Sequence, residues 1–224
     1  SRRDPIYLEA VFAAALLLPI SAPSAGTLIP VVAFPNSTRT YAYGINNSNE
    51  ITGTYRRSDG SQHGFVGTLD GQQYSSFDFG RGGNTYAFSI SDDGYIVGED
   101  GGPSADCPIL GCQYLRKPTG EPHEILRNGK GIDGVHGQII NKQRFVGEYW
   151  TEDESENFFS NGYYGKKNSY VKDLTLPFST QRVHPRGYNK QGDVAGNYLE
   201  PGVGSPGFVI HKGVATSVMF PDAN

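Results

Sequence analysis

The stretch GINNSNEITGTY at residues 44–55 decides the fold, because related stretches follow it three times along the chain. They read SISDDGYIVG at 89–98, IINKQRFVGEY at 139–149 and GYNKQGDVAGNY at 187–198. Each joins a polar turn to a short apolar segment that ends on or just beyond a glycine. These four glycines, here called the repeat glycines, are 45, 49 and 49 residues apart: Gly53, Gly98, Gly147 and Gly196. Self-similarity at a nearly fixed period indicates a repeat architecture.

Within each period, apolar and polar residues alternate between turn residues, which predicts four short strands per repeat. In the first repeat we expect strands at about residues 41–46, 50–56, 63–69 and 73–79. The composition agrees with an all-β chain, because 30 Gly, 14 Pro, 14 Tyr and 12 Phe are typical of aromatic-rich strands joined by tight turns. We therefore predict a β-propeller of four-stranded antiparallel blades at about residues 39–79, 84–126, 134–176 and 182–220.

The third predicted strand of every repeat carries an aromatic residue, and we interpret these residues as a layer of core between neighbouring blades. They are Phe65, Tyr114, Phe159 and Phe208. The repeat glycines are expected to permit close backbone approach within a packed strand.

Residues 1–25 have the order of a secretory signal peptide: Arg2 and Arg3, an apolar run at 10–20, then small residues at 21–26. The run of 11 residues is shorter than the roughly 20 that span a bilayer, so no membrane span is expected in the mature chain. An amphipathic helix of the mature domain is the alternative. The prediction is a secreted protein, extracellular or periplasmic, with a repeat domain at residues 26–224.

The two cysteines, Cys107 and Cys112, lie in one predicted loop. Because exported proteins meet an oxidising compartment, a local disulfide is favoured over free thiols. No Cys/His spacing suggests zinc, and no metal site is predicted.

The repeated motifs resemble the extracellular HAF repeat family, whose blades combine a Gly-Ile-Asn turn, an Ile-Val-Gly-Tyr-like strand and a His-Ala/Gly-Phe strand. The corresponding segments here are residues 44–46, 51–55 and 63–65, with partial echoes of a Pro-Gly-Ala-like segment at 34–36 and 220–222. Later repeats depart from the pattern, since Cys112, Asn157 and Pro206 stand where the first repeat has His63. The resemblance covers about residues 34–224. It implies export and a propeller-like fold, and it brings no catalytic residue.

Residues 27–34 match the fourth strand of a blade, although the fourth repeat already has a fourth strand of its own. Propellers usually close by building one blade from both chain ends, which removes an exposed sheet edge. We therefore expect the chain to be a fragment of a ring with five or more blades. A four-bladed ring, with residues 27–34 as an edge strand or an intersubunit contact, is the alternative, and the oligomeric state stays open.

Loops that join the second and third strands should emerge on the same face as loops between blades, and this loop-rich face is the predicted binding site. Tyr41, Tyr86, His136 and His184 are expected near the mouth of the central channel, with Arg186 two residues beyond His184. Such a set could hold a metal, perform acid–base chemistry or bind a sugar, and the alternative is hydrogen-bonded surface groups.

The other candidates are Glu99 and Glu148, which follow repeat glycines directly. A carboxylate pair could support glycoside hydrolysis, whereas solvated acidic loops with a loosely bound Ca²⁺ explain the same residues. No cofactor is identified.

Three functions follow from these features. The first is a secreted recognition module that binds a glycan or another extracellular ligand, such as a small molecule. The second is a carbohydrate-active hydrolase or lyase that uses the channel-mouth His and Tyr residues or a carboxylate pair, and the third is a structural or adhesive repeat protein. A net charge of -4 without a basic block argues against a nucleic-acid partner. Common hydrolase, nucleotide and metalloprotease motifs are missing from the sequence.

Overall fold

The structure is a computed structural model of the chain. It describes residues 33–79, 84–102, 105, 107, 111–120, 122–127, 130–132, 134, 137–141, 144–152, 158–166, 170–179 and 182–219. Every regular element in these ranges is a β-strand, which confirms the all-β prediction. The predicted signal peptide and nearly all of the predicted strand at 27–34 lie outside the described residues.

The strands form four sheets, and each sheet contains the four strands of one repeat. The first sheet contains β1 (Arg39–Ile45), β2 (Glu50–Arg56), β3 (Gln62–Thr68) and β4 (Tyr74–Phe77). The second contains β5 (Asn84–Ile90), β6 (Ile96–Gly101), β7 (Gln113–Arg116) and β8 (Pro122–Glu124). In both sheets each strand pairs antiparallel with the strand before it, as the alternating pattern predicts.

The third sheet has a hairpin that the sequence does not reveal. After β9 (Leu126–Arg127) and β10 (Lys130–Gly131) come β11 (Gly137–Asn141), β12 (Arg144–Glu152), β13 (Phe158–Lys166) and β14 (Tyr170–Asp173). The pair β9–β10 joins the sheet through a parallel contact between β9 and β14, so six strands form one sheet. The fourth sheet again has four strands: β15 (Val183–Tyr188), β16 (Val194–Tyr198), β17 (Gly207–His211) and β18 (Val214–Val218).

We call β1, β5, β11 and β15, which begin the four repeats, the first strands. Each contains a bulge, where one residue has no partner in the register with the second strand of its repeat. The extra residue is Tyr43 in the first sheet, Phe88 in the second and Arg186 in the fourth. In the third sheet the bulge falls later, at Ile140. The turn of that repeat is one residue shorter, which accounts for the different register.

The repeat glycines are required because the first strand and an aromatic ring approach them closely. A Cβ atom on Gly53 would lie 1.8 Å from the carbonyl oxygen of Tyr41 and 2.9 Å from the ring of Phe65. At Gly196 the corresponding distances are 2.1 Å, to the carbonyl oxygen of His184, and 2.8 Å, to the ring of Phe208. The predicted close approach is therefore present.

One member of the predicted aromatic layer is wrong. Tyr163, not Phe159, pairs with Gly147 in the third sheet, and its ring is buried as those of Phe65, Tyr114 and Phe208 are. The hairpin of β12 and β13 is longer than its counterpart in the first repeat, so Phe159 pairs with Thr151 at the far end and is only half-buried.

Apolar clusters fill the spaces between consecutive sheets. The clusters between the first and second, second and third, and third and fourth sheets include Ile96, Leu115 and Val183 respectively. In each case an inner strand of one sheet contacts the first strand of the next: β2 and β3 contact β5, β6 contacts β11, and β12 and β13 contact β15. We call each such interface a seam.

We expect Gly196→Ala to lower the free energy of unfolding by about 3 kcal/mol, because the new methyl group must displace backbone as well as a packed ring. Gly187→Ala in the same sheet is the matched control, since a Cβ there would meet nothing within 4 Å. Urea unfolding followed by tyrosine fluorescence measures both changes. Equal stability of the two variants would contradict the packing role of the repeat glycine.

Candidate functional site

The first strands of the four sheets lie side by side, since β5 contacts both β1 and β11, and β11 contacts β15. Their ends surround one cavity of about 430 Å³. Its apolar lining includes Ile45, Ile90 and Ile139, which hold equivalent positions in three repeats. The cavity opens among the turns between first and second strands, which is the end of the sheets opposite to the predicted loop-rich face.

Polar residues of three repeats meet at the rim of this cavity. Asp92 accepts hydrogen bonds from the backbone N–H of Asn47 at 3.0 Å and from its Nδ2 at 2.8 Å. Lys190 Nζ lies 2.8 Å from the same carboxylate, and its side chain is largely exposed. The hydrogen bond from Lys190, followed by those from Asn47, lowers the pKa of Asp92 to about 2. The carboxylate is therefore ionised at neutral pH and links turns of the first, second and fourth repeats.

Four aromatic rings form a continuous strip along β1 and β5. Tyr41 stacks on Tyr43 with ring centroids 6.2 Å apart, and Phe88 stacks on Tyr86 at 6.3 Å. An edge contact of 5.8 Å between Tyr43 and Phe88 joins the two pairs. Tyr41 is exposed and Tyr43 is 50 % exposed, so the strip offers ring surface to solvent. We call these four residues the aromatic strip.

A charged cluster lies at the seam between the third and fourth sheets. The carboxylate of Glu148 hydrogen-bonds to His184 Nδ1, and Arg186 Nη1 lies 3.7 Å from its other oxygen. His184 Nε2 lies 3.1 Å from the hydroxyl oxygen of Ser160. Glu148 is buried, whereas the side chain of Arg186 is about half exposed. We call these four residues the seam cluster.

The chain of contacts from the Ser160 hydroxyl through His184 to the Glu148 carboxylate has the same groups in the same order as a hydrolase triad. Two observations favour a structural role for it. Ser160 is 1 % exposed, so a substrate would not reach its hydroxyl unless the sheets separated. The contact also has a counterpart at the first seam, where Gln62 Nε2 donates to the Tyr86 hydroxyl at 2.7 Å and where the register makes Gln62 equivalent to Ser160.

The predicted site residues thus divide into two groups. Tyr41 and Tyr86 belong to the aromatic strip, and His184, Arg186 and Glu148 belong to the seam cluster. Glu99 is buried in β6, where it pairs in register with Tyr86 of the aromatic strip, and His136 lies outside the described residues. Cys107 and Cys112 are joined by a disulfide, and both residues are buried.

Sequence reasoning missed two parts of this region. Ser160 gave no signal, because it lies outside every repeated motif. The rim residues Asn47, Asp92 and Lys190 were visible as repeated polar turn residues, but they were interpreted only as turns. Their recurrence at one place in each repeat could have indicated a shared cavity.

No group of three or more His, Cys, Asp or Glu side chains in the described ranges is arranged to hold a metal ion. No helix in the described part of the chain is long and apolar enough to cross a membrane.

No protein-family model matches this chain. A search of curated proteins finds no match either. The likeness to HAF repeats therefore remains a resemblance of short motifs.

Proposed function

We propose that the four sheets are blades of a β-propeller and that the protein is an exported recognition module that binds a glycan through the aromatic strip. The propeller geometry is supported by the adjacency of the first strands, their shared cavity and the repetition of one kind of seam. Export is supported by the predicted signal peptide and is consistent with the disulfide.

The aromatic strip is the observation that carries the proposal. Sugar rings present apolar C–H faces that pack on aromatic rings, while tyrosine hydroxyls can hydrogen-bond to sugar hydroxyls. Tyr41 and Tyr43 expose ring surface on a strand that is held rigidly in a sheet. Rigid aromatic side chains lose little conformational entropy on binding, which favours recognition over a flexible apolar patch.

Polar groups on the first strands of the third and fourth repeats suit the same ligand. Arg186 occupies the bulge position that Tyr43 and Phe88 occupy in the first two sheets, and Gln138 lies on β11; both side chains are exposed. An amide and a guanidinium can hydrogen-bond to hydroxyl or carboxylate oxygens of a glycan. The proposed ligand is therefore an oligosaccharide that packs on the strip and donates to or accepts from these groups.

Calorimetric titration with soluble oligosaccharides, chosen by a glycan array, tests the proposal. We expect Tyr43→Ala to weaken binding by about tenfold to a hundredfold, because it removes the most exposed ring of the strip. Tyr43→Phe should retain most of the affinity, since the ring remains. Val214→Ala, at an exposed apolar position of β18, is the control and should bind as the parent does.

Two results would remove the proposal: a complete absence of glycan binding on the array, or equal affinities for the parent protein and Tyr43→Ala. Loss of binding in Val214→Ala together with Tyr43→Ala would place the ligand elsewhere on the surface.

A further inference from the structure

We infer that the cavity between the first strands binds a small organic cation, an ammonium group carried on an apolar body, and that Asp92 recognises the ammonium. The inference rests on the apolar lining of the cavity and on the way in which Asp92 and Lys190 are held at its rim. It does not depend on the proposed glycan ligand.

The apolar lining of the cavity comes from one level of the four first strands. Its residues are Ile45, Ile90, Ile139 and Tyr188. Each pairs in register with the residue two positions before a repeat glycine, so the four hold equivalent places. The volume of about 430 Å³ lies within the range of roughly 300–1,000 Å³ that is typical of small-molecule sites. The cavity is therefore large enough for a small organic ligand.

Part of this lining is open to solvent. Ile90 and Ile139 are buried, whereas Ile45 is 57 % exposed. An apolar body in the cavity would cover Ile45 and remove its side chain from water. Such removal stabilises a complex roughly in proportion to the apolar area that is covered.

The carboxylate of Asp92 is fixed at the rim independently of Lys190. The backbone N–H of Asn47 donates to one of its oxygens at 3.0 Å, and Nδ2 of Asn47 donates to the other at 2.8 Å. These two hydrogen bonds join a turn of the first repeat to a turn of the second. Asp92 thus presents a negative charge at a set place beside the apolar lining.

Lys190, in contrast, is held by a single contact. Its Nζ lies 2.8 Å from Asp92, which is its partner among the described residues, and its side chain is 68 % exposed. An exposed ion pair contributes little to stability, because both charges are well hydrated when they separate. A ligand ammonium can therefore replace that of Lys190 at small cost, and the ligand also gains the burial of its apolar body.

The difference between the two rim groups selects the charge of the ligand. A group that is already held in place loses little conformational entropy on binding, whereas a long exposed lysine must be ordered first. The fixed carboxylate is therefore the better recognition group, and it suits a cation.

Calorimetric titration of the full chain with linear alkylammonium ions, from butylammonium to octylammonium, tests this inference. We expect the affinity to rise by roughly fourfold for each added methylene until the cavity is filled, because each buried methylene contributes a similar free energy. Linear carboxylates of the same chain lengths carry the opposite charge and should show no binding.

Three variants examine the two rim groups with hexylammonium. Asp92→Asn should weaken binding by about tenfold or more, because it removes the charge that the ammonium meets. Lys190→Met should instead strengthen binding by about twofold to fivefold, since the apolar stem remains and no lysine competes for Asp92. Lys117→Met, in the exposed turn between β7 and β8, is the matched control and should bind as the parent does.

The inference is overturned if no alkylammonium ion binds, or if carboxylates of the same length bind equally well. Unchanged affinity in Asp92→Asn would also overturn it, as would weaker binding by Lys190→Met than by the parent. Both positions are exposed, so circular dichroism should show unchanged folds. Asp92→Asn is expected to keep the glycan affinity of the parent, which separates this inference from the proposed function.

Discussion

Removal of the His184 side chain is expected to lower the free energy of unfolding by about 3 kcal/mol, whereas removal of Arg186 should cost about 0.5 kcal/mol. Both side chains face the carboxylate of Glu148. His184 Nδ1 hydrogen-bonds to it inside the seam, while Arg186 Nη1 lies 3.7 Å away and about half of the Arg186 side chain is exposed. A buried carboxylate that loses a hydrogen-bond donor retains its desolvation penalty, which is why the two effects should differ.

The double replacement Glu148→Thr with His184→Tyr distinguishes this explanation from simple loss of packing. The first seam has Thr54 and Tyr86 at the equivalent positions, so the double variant places a neutral pair that the fold already uses. We expect its stability to lie within about 1 kcal/mol of the parent, because an uncharged pair has no buried charge to compensate. Urea unfolding of the four proteins measures the differences. A double variant as unstable as His184→Ala would show that the carboxylate is not the cause.

The sequence predicted the sheets well because strand alternation and turn chemistry are local. Asp70-Gly71 and the polar turns of the repeats lie where the strands reverse, and the repeat glycines lie where backbone and aromatic rings meet. The aromatic of the third repeat was placed wrongly, since hairpin length is decided by pairing between distant residues. Tyr163 and Phe159 are four residues apart and equally aromatic, and only the register of β12 with β13 separates them.

The candidate site was less accessible to sequence reasoning. Aligning the repeats brought Tyr41 and Tyr86, or His184 and Arg186, to equivalent places, but it could not show which neighbours they meet across a seam. The contacts of Glu148 with His184 and of Asp92 with Lys190 join residues from different sheets. Such contacts depend on how sheets pack, which a single repeat does not encode. The β9–β10 hairpin was missed for a related reason, because its segments have no counterpart in the other repeats.

The three seams share apolar packing but differ in the polar contacts beside it. At the first seam Gln62 and Tyr86 form a neutral hydrogen bond, and at the third Ser160, His184 and Glu148 form a charged one. The apolar clusters are present at all three seams. The sheets are thus held together by repeated packing, while the polar positions near the first strands are free to vary. At the first seam this division places the variable polar chemistry at Tyr86, which belongs to the aromatic strip.

Alkaline solution should unfold the protein as Tyr114 and Tyr163 lose their protons. Both side chains are fully buried, and their hydroxyls donate to the Tyr86 carbonyl oxygen and to Gln113 respectively. Burial raises the pKa of each above the ordinary value of 10.0. For Tyr114, the charge of Arg116 partly opposes the increase in pKa, and the charge of Glu99 adds to it. For Tyr163, the charge of Glu148 adds to the increase in pKa.

A group with a raised pKa in the folded state stabilises the fold fully below its unfolded pKa and loses that contribution as the pH rises towards its folded pKa. Stability should therefore be unaffected by these tyrosines up to about pH 10 and then fall by about 1.4 kcal/mol per pH unit for each of them. Tyrosinate absorbance and circular dichroism, recorded together, should show that part of the 14 tyrosines ionise only as the fold is lost.

Tyr114→Phe provides the decisive variant, because it removes one ionising group from the core. We expect a shallower loss of stability above pH 10, although the variant starts about 1 kcal/mol lower since the Tyr86 carbonyl loses its donor. Tyr41→Phe, at an exposed position, should leave the alkaline slope unchanged. If Tyr114→Phe and the parent unfold with the same slope, the buried tyrosines do not govern alkaline stability. In that case the aromatic layer opposite the repeat glycines must admit water more readily than its burial indicates.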